Sequence, residues 1–361
     1  MLKNESPEQV TCPINELDMT QNHDLEDLKK IAQDILDPKK TLADLIPRIG
    51  DLRALLEQRT LLKLEPVVNL GEGRTMLDSG MAVSPLMAAL CAREVFRSAA
   101  FIKGAGEAVQ DAAREDRPVR VLYAGCGPFA LLALPLMAVF SERQVQFTLI
   151  DIHPESLHCA QHLIDGFGFS SHVIEYVRAD ATRYQIPPNS TPDVIVSETM
   201  NVCLGKEPQV SIARHLLAQA PEALMVPEAV SVEACLLDPS KEHAPVDSTQ
   251  EGKFVEPVRD RVYLGKIFEL DAQNVRHWAN ITEDRLPAAT ITIPAALPKH
   301  YQARLLTRIV VYNQTCLQDY DSSLNLPQRL PGKPALAGGE TLQFHYKLGM
   351  YPGLDYEISY S

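Results

Sequence analysis

The chain has 361 residues, 47 of them acidic against 34 basic, for a formal net charge of −13. That balance excludes the basic face a nucleic-acid partner requires, and no apolar run approaches the roughly 18 residues of a membrane-spanning helix. Seven cysteines (Cys12, Cys91, Cys126, Cys159, Cys203, Cys235, Cys316) show no C-x-x-C spacing, which excludes by pattern a zinc site or a disulfide framework. The length suffices for two or three domains around a sizeable core.

Residues 1–22 are polar, lack the apolar segment of a signal peptide and read as a mobile arm, so the cytoplasm is the expected location. From 24 to 64 the spacing is helical. Leu25, Leu28, Ile31, Ile35 and Leu36 form one apolar stripe, and Leu42, Leu45, Ile46, Leu52, Leu55 and Leu56 another. A turn-rich piece at 69–74 leads to Asp78-Ser79-Gly80 and on to Pro85. Residues 86–102 then read as one helix with Arg93 and Arg97 on a shared face, a pattern that a salt-bridged surface also explains.

The centre of the chain is 120–132, RVLYAGCGPFALL. A short apolar strand (119–124) breaks at Gly125-Cys126-Gly127-Pro128 and resumes from Phe129 as a helix. Strand, glycine turn and helix make the corner of an open α/β sheet at which a ligand meets the backbone. A second strand, 146–150, ends in Asp151, roughly two dozen residues past the glycine turn, the spacing at which an acid reaches a ribose hydroxyl pair. Capping of the helix at 154–166 is the alternative use of Asp151. A third strand (173–177) leads to Asp180, which suits a purine amino group or ordinary loop chemistry, and a fourth (193–196) delivers Ser197-Glu198. Ligands of such sheets sit beyond the strand carboxyl ends, where Asp151, Asp180 and Glu198 converge. The turn has no third glycine at G-x-G-x-x-G spacing, so it does not match a dinucleotide pyrophosphate site. Beyond residue 238, short alternating runs at 261–264, 267–270, 289–293, 303–312 and 341–348, split by proline and glycine, predict a β-sandwich or barrel. The expected division is 1–115 (arm and helical cover), 116–238 (Rossmann-like α/β domain) and 239–361 (β-rich domain).

Over residues 118–238 the ordered series of Gly125-Cys126-Gly127, Asp151, Asp180 and Glu198 resembles the S-adenosylmethionine (SAM)-dependent methyltransferases of the Rossmann-like class. The stretch 197–207, SETMNVCLGKE, resembles the paired-glutamate loop of protein arginine methyltransferases. The resemblance implies SAM as cofactor and Glu198 and Glu207 as the carboxylates that orient a cationic nitrogen. It further implies a cofactor site of Tyr123, Gly125, Cys126, Gly127, Phe129, Asp151 and Asp180, with Arg93 or Arg97 from the preceding helix for the SAM carboxylate. The implied partner is a small-molecule acceptor in specialised metabolism, with neither nucleic acid nor membrane involved and a homodimer as the open assembly.

Departures from the family pattern are specific. Tyr123 stands where an acid usually helps hold the amino group of SAM, and Phe129 fills a small position of the turn. Met76-Leu77-Asp78 begins like the family's N-terminal motif, but Val83-Ser84-Pro85 follows where an arginine is wanted. Met200-Asn201-Val202 replaces a Met-Gly-aromatic run. Arg276-His277-Trp278 is similar to the family's Thr-His-Trp signature or reads as a helix surface, and Glu207-Pro208 also reads as a helix start. These departures, and a general likeness to bacterial SAM-cyclising enzymes, raise two alternatives. One is intramolecular closure of SAM to azetidine-2-carboxylate and methylthioadenosine, with Phe129 facing the sulfonium. The other is a nucleoside-binding pseudo-enzyme.

Overall fold

In the computed structural model, which describes residues 15–64, 72–243 and 259–360, the chain opens with helices α1 (Asn15–Leu36) and α2 (Ile46–Arg59). Residues 1–14, with Cys12, and 65–71, which include the start of the turn-rich piece, lie outside the described residues. The expected arm is therefore corrected from Asn15 onward, where α1 begins. Leu28, Ile31, Ile35, Leu45, Ile49, Leu52 and Leu56 are buried, as their helical spacing requires.

A hairpin of β1 (Thr75–Leu77) and β2 (Gly80–Ala82) follows, then α3 (Pro85–Leu90) and α4 (Val95–Asp111). The single helix expected at 86–102 is thus two. Glu94 leaves helical geometry (φ −83°, ψ 88°), so Arg93 and Arg97 do not share a face. Arg93 sits 3.4 Å from Glu57 near the surface, whereas Arg97 is buried.

The α/β layer comprises β3 (Val119–Ala124), α5 (Leu134–Val139), β4 (Val145–Asp151), α6 (Pro154–Gly166), β5 (Val173–Arg178), β6 (Val194–Ser197), α7 (Gln209–Gln219) and β7 (Leu224–Val226). Its strands form one all-parallel sheet of order β5-β4-β3-β6-β7. The chain therefore starts in the middle, runs out to one edge and returns to build the other. The topological switch point falls at the carboxyl ends of β3, β4 and β6. β3, β4 and β6 are apolar and buried on both faces, as strands covered by helices must be. The helix expected from Phe129 begins later, at Leu134. Ala130 takes φ 44° and Pro135 fits the first helical turn, so residues 128–133 form a buried turn instead.

The remainder is antiparallel: β8 (Ala229–Leu237), β9 (Arg261–Asp271), α8 (Ala272–His277), β10 (Arg285–Thr292), β11 (Gln302–Tyr312), β12 (Thr315–Leu317), β13 (Gln328–Arg329), β14 (Glu340–Lys347) and β15 (Gly353–Tyr360). β12-β11-β8-β9 form one sheet, with β13 also on β11, and β10-β14-β15 form another. The runs at 261–264 and 267–270 are one strand with irregular register, not two. β8 hydrogen-bonds to β9 and β11, and so belongs to the antiparallel layer.

Helix α4 ties the two layers together. Gly104 packs so closely on β11 that a Cβ there would lie 2.6 Å from Val311 Cγ1. Near its end, Asp111 accepts from Tyr312 Oη at 3.1 Å and Glu107 from Thr315 Oγ1 at 3.1 Å. One contiguous apolar core runs from α1 through the parallel sheet into the antiparallel strands. No helix among the described residues is long and apolar enough to cross a membrane.

Candidate active site

At the switch point the glycine turn is fixed by hydrogen bonds to the neighbouring strand. Gly125 N and Cys126 N donate to Ile150 O (2.8 and 3.1 Å), and Gly127 N donates to Asp151 Oδ2 (3.0 Å). Gly125 has φ 74°, and a Cβ on it would sit 2.4 Å from Thr199 Cγ2, so both conformation and space require glycine there. Asp151 Oδ1 accepts from His153 N at 2.8 Å. The helix after it has His153 as N-cap with no side-chain cap, so Asp151 does not cap α6. Two of the carboxylate's roughly four lone-pair directions are taken by backbone, and the His153 ring nitrogen Nδ1 lies 3.5 Å from Oδ1.

A cleft of about 320 Å³ opens above this turn, within the usual size range of small-molecule sites. Ten residues singled out from the sequence line it, Arg97, Tyr123, Gly125, Cys126, Gly127, Phe129, Asp151, Asp180, Glu198 and Glu207, and Arg93 does not. Asp180 is partly committed to its own loop, Oδ1 accepting from Thr182 N (2.9 Å) and Thr182 Oγ1 (2.7 Å).

The acidic end of the cleft is a buried charge network. Arg97 Nε lies 2.5 Å from Glu198 Oε1 and Arg97 Nη1 2.8 Å from Glu94 Oε2. Desolvation opposes the Arg97 cation, but Glu198 and Glu94 more than offset it and hold the guanidinium charged well above its ordinary range. Glu207 has a different setting. It is buried, with one weak partner, Asn201 Nδ2 at 3.4 Å, and burial pushes its carboxyl up to about 7. The alternative reading of Glu207 as a helix cap is corrected: α7 starts after Pro208 and has no side-chain cap. Burial also keeps the cysteines and the phenol neutral. The Cys126 thiol and the Tyr123 hydroxyl are pushed well above their ordinary values, and Cys91 up to about 11.

The sequence reading missed several lining groups. Ser156, on the first turns of α6, is 1 % exposed, and its Oγ has no hydrogen-bond partner among the described residues. Ser323 and Leu324 reach the cleft from the β-rich half, with Ser323 N donating to Glu94 Oε1 at 2.8 Å. Leu77, Met81 and Ala82 of the hairpin roof it. That hairpin is pinned on the Asp151 side by Thr75 to His153 (3.0 Å) and on the glutamate side by Met81 N to Lys206 O (2.7 Å). By contrast, Arg276-His277-Trp278 does not line the cleft. Trp278 is buried and stacks on Phe268 with ring centroids 5.0 Å apart, so the resemblance of this run to a family signature is corrected to a core contact.

No family model matches the chain, and no curated protein matches it. Solved structures similar to it include the PRMT1 enzyme–prozyme heterotetrameric complex of Trypanosoma brucei with AdoHcy, at 13% identity and TM-score 0.47, over 74% of this chain and 91% of that one. PRMT6 is similar at 10% identity and TM-score 0.48, over 75% of this chain and 99% of that one.

Proposed function

We propose that this chain is a SAM-dependent N-methyltransferase acting on a small cationic acceptor, guanidino or amino, in specialised metabolism. The observation that carries the reading is the convergence in one cleft of a glycine turn, Asp151 and two buried glutamates at the switch point of the parallel sheet. The unpartnered Ser156 hydroxyl fits a polar ligand in that cleft, because a buried polar atom left unpaired is costly. Asp151 and Asp180 would hold the nucleoside, with the glycine turn beneath it. When bound, SAM supplies an electrophilic methyl group. Glu198, fixed by Arg97, would orient the acceptor nitrogen. Glu207, half-ionised near pH 7, would complete the binding of a cation and accept its proton. A roofed cleft lined by the hairpin suits a small acceptor. A cytoplasmic setting belongs to the same proposal.

A second reading, intramolecular cyclisation of SAM, is favoured by Tyr123, a neutral phenol where an acid would otherwise hold the amino group. There the amino nitrogen, after losing a proton, would bond to the γ-carbon as the carbon–sulfur bond breaks and methylthioadenosine departs. One experiment separates the readings. The purified protein is incubated with SAM, alone and with guanidino and amino compounds, and the products are read by mass spectrometry. Acceptor-dependent S-adenosylhomocysteine supports methyl transfer, and acceptor-independent methylthioadenosine with a four-membered-ring amino acid supports cyclisation. Weak SAM binding that Asp151→Ala leaves unchanged would instead mark a pseudo-enzyme.

A further inference from the structure

We infer that Gln209 is the positioning residue for Glu198, a single buried amide that sets the acceptor-side carboxylate against the cofactor-side glycine turn. The inference rests on Glu198 facing the acceptor, as proposed above.

Gln209 opens α7 directly after Pro208 and is 1 % exposed. Its Oε1 accepts from Ser197 Oγ (3.1 Å), Thr199 N (3.0 Å) and Thr199 Oγ1 (2.9 Å), while its Nε2 donates to Ser197 O (2.8 Å). The two residues that flank Glu198 are therefore both held by one side chain. Ser197 is the last residue of β6, paired with Ala124 of β3, so the amide takes over where the sheet's own hydrogen bonds end. Thr199 carries the constraint further. Its methyl group fills the space that a Cβ on Gly125 would occupy, which registers the glutamate loop on the glycine turn.

An amide suits this place because it offers an acceptor to three donors and a donor to one carbonyl, all within a buried pocket. An aliphatic residue would leave Thr199 N and Ser197 O without their bonds, and the loop would relax to recover them. Arg97 fixes Glu198 from the opposite side. With Gln209 removed, the carboxylate keeps its ion pair with Arg97 and loses its aim.

The test needs no acceptor. Sinefungin carries an amine-bearing carbon where SAM has its methylated sulfur, so its ammonium points toward the acceptor carboxylates; S-adenosylhomocysteine has nothing there. Titration calorimetry with both ligands gives an affinity ratio that reports how well those carboxylates are aimed, which a purely structural role would not move. The wild type should favour sinefungin by about tenfold, the scale of one charge-assisted contact. Gln209→Ala should remove most of that preference while S-adenosylhomocysteine affinity stays within about twofold. Thr199→Val keeps the methyl against Gly125 and loses one bond to the amide, so it should lower the preference in the same direction, and it decides the matter if Gln209→Ala does not fold. An unchanged ratio in variants that still bind S-adenosylhomocysteine overturns the inference and leaves the cofactor reading intact. Equal affinities in the wild type overturn the role of Glu198 on which the inference rests. Binding of neither ligand by the wild type overturns both the inference and the cofactor reading.

Discussion

Glu207 shows at the scale of one residue how stability and function oppose each other. Its carboxyl is moved by burial from an ordinary 4.5 to about 7. Between those values the unfolded chain has released a proton that the folded chain still holds, so this group makes folding less favourable as pH rises through the window, with no further change above it. Glu207→Gln removes the effect. The variant should gain stability over the wild type as pH rises from about 4.5 to 7, approaching about 3 kcal/mol, measured by urea denaturation at stepped pH. The same variant should lose the limb near pH 7 from the kcat/KM profile together with most activity. A parallel pair of stability curves would show that burial does not hold the Glu207 proton in the folded chain.

Ser156 makes a second residue-scale prediction with two signs. Ser156→Ala deletes an unsatisfied buried hydroxyl, so the ligand-free protein should be as stable as the wild type or up to about 1 kcal/mol more stable. Its SAM affinity should fall about fivefold, read by calorimetry. Legibility at this scale divides by range. The glycine turn, Asp151 and the glutamate pair were legible because chemistry and spacing sit together in a few neighbouring residues. Ser156 and Gln209 were not, because a hydroxyl without a partner and an amide with four bonds look the same in sequence as any other serine or glutamine.

At the scale of elements, the parallel strands β3 to β6 were legible from their apolar runs, and β7 and the hairpin were not. Strands of three residues carry too little periodicity to read, and β1 and β2 gain their place by roofing the cleft. The break at Glu94 was equally hidden, since its cause lies in the contacts of that carboxylate with Ser323 and Arg97. Two elements invite direct tests. The turn before β6 is held by Asp193, which accepts from Arg117 Nη1 (2.6 Å), Arg117 Nη2 (2.8 Å), Arg114 Nε (3.0 Å) and Arg120 N (2.9 Å). Burial alone would raise this carboxyl, but these donors, Arg117 foremost, hold it below its ordinary value. A depressed carboxyl stabilises above its unfolded value and loses that contribution as pH falls through its folded one. Asp193→Asn should therefore lower stability by about 2 kcal/mol at pH 7, with the gap closing below about pH 4. In α4, Gly104→Ala gains helix propensity of about 1 kcal/mol but forces a methyl group into Val311. Overpacking should win by about 1 kcal/mol net, with chemical denaturation as the measure. A more stable variant would show that α4 and β11 can part without loss.

For the whole molecule the question is whether the cleft belongs to one layer or to both. Its floor is the parallel sheet, but Ser323 and Leu324 come from the antiparallel half, and Glu94 and Arg97 on the connecting segment link Ser323 to Glu198. The core is contiguous across both layers, with α4 packed on β11 and bonded to it and its neighbours. A ligand that binds only the folded cleft should therefore stabilise strands that do not touch it. The single tryptophan, Trp278, is placed to report this, since it is buried in the antiparallel half against Phe268 and does not line the cleft. At about 100 times its dissociation constant, S-adenosylhomocysteine should add about 2.7 kcal/mol to the unfolding free energy read by Trp278 fluorescence. The far-ultraviolet dichroism, which is weighted toward the helices, should shift by the same amount and at the same midpoint. If dichroism moves while Trp278 fluorescence stays put, the layers unfold separately, and the link through Ser323 and Glu94 carries no coupling. Coincident shifts would show that the two layers unfold as one unit, so that Gly104→Ala should lower the unfolding free energy seen by both probes equally, with ligand bound or free.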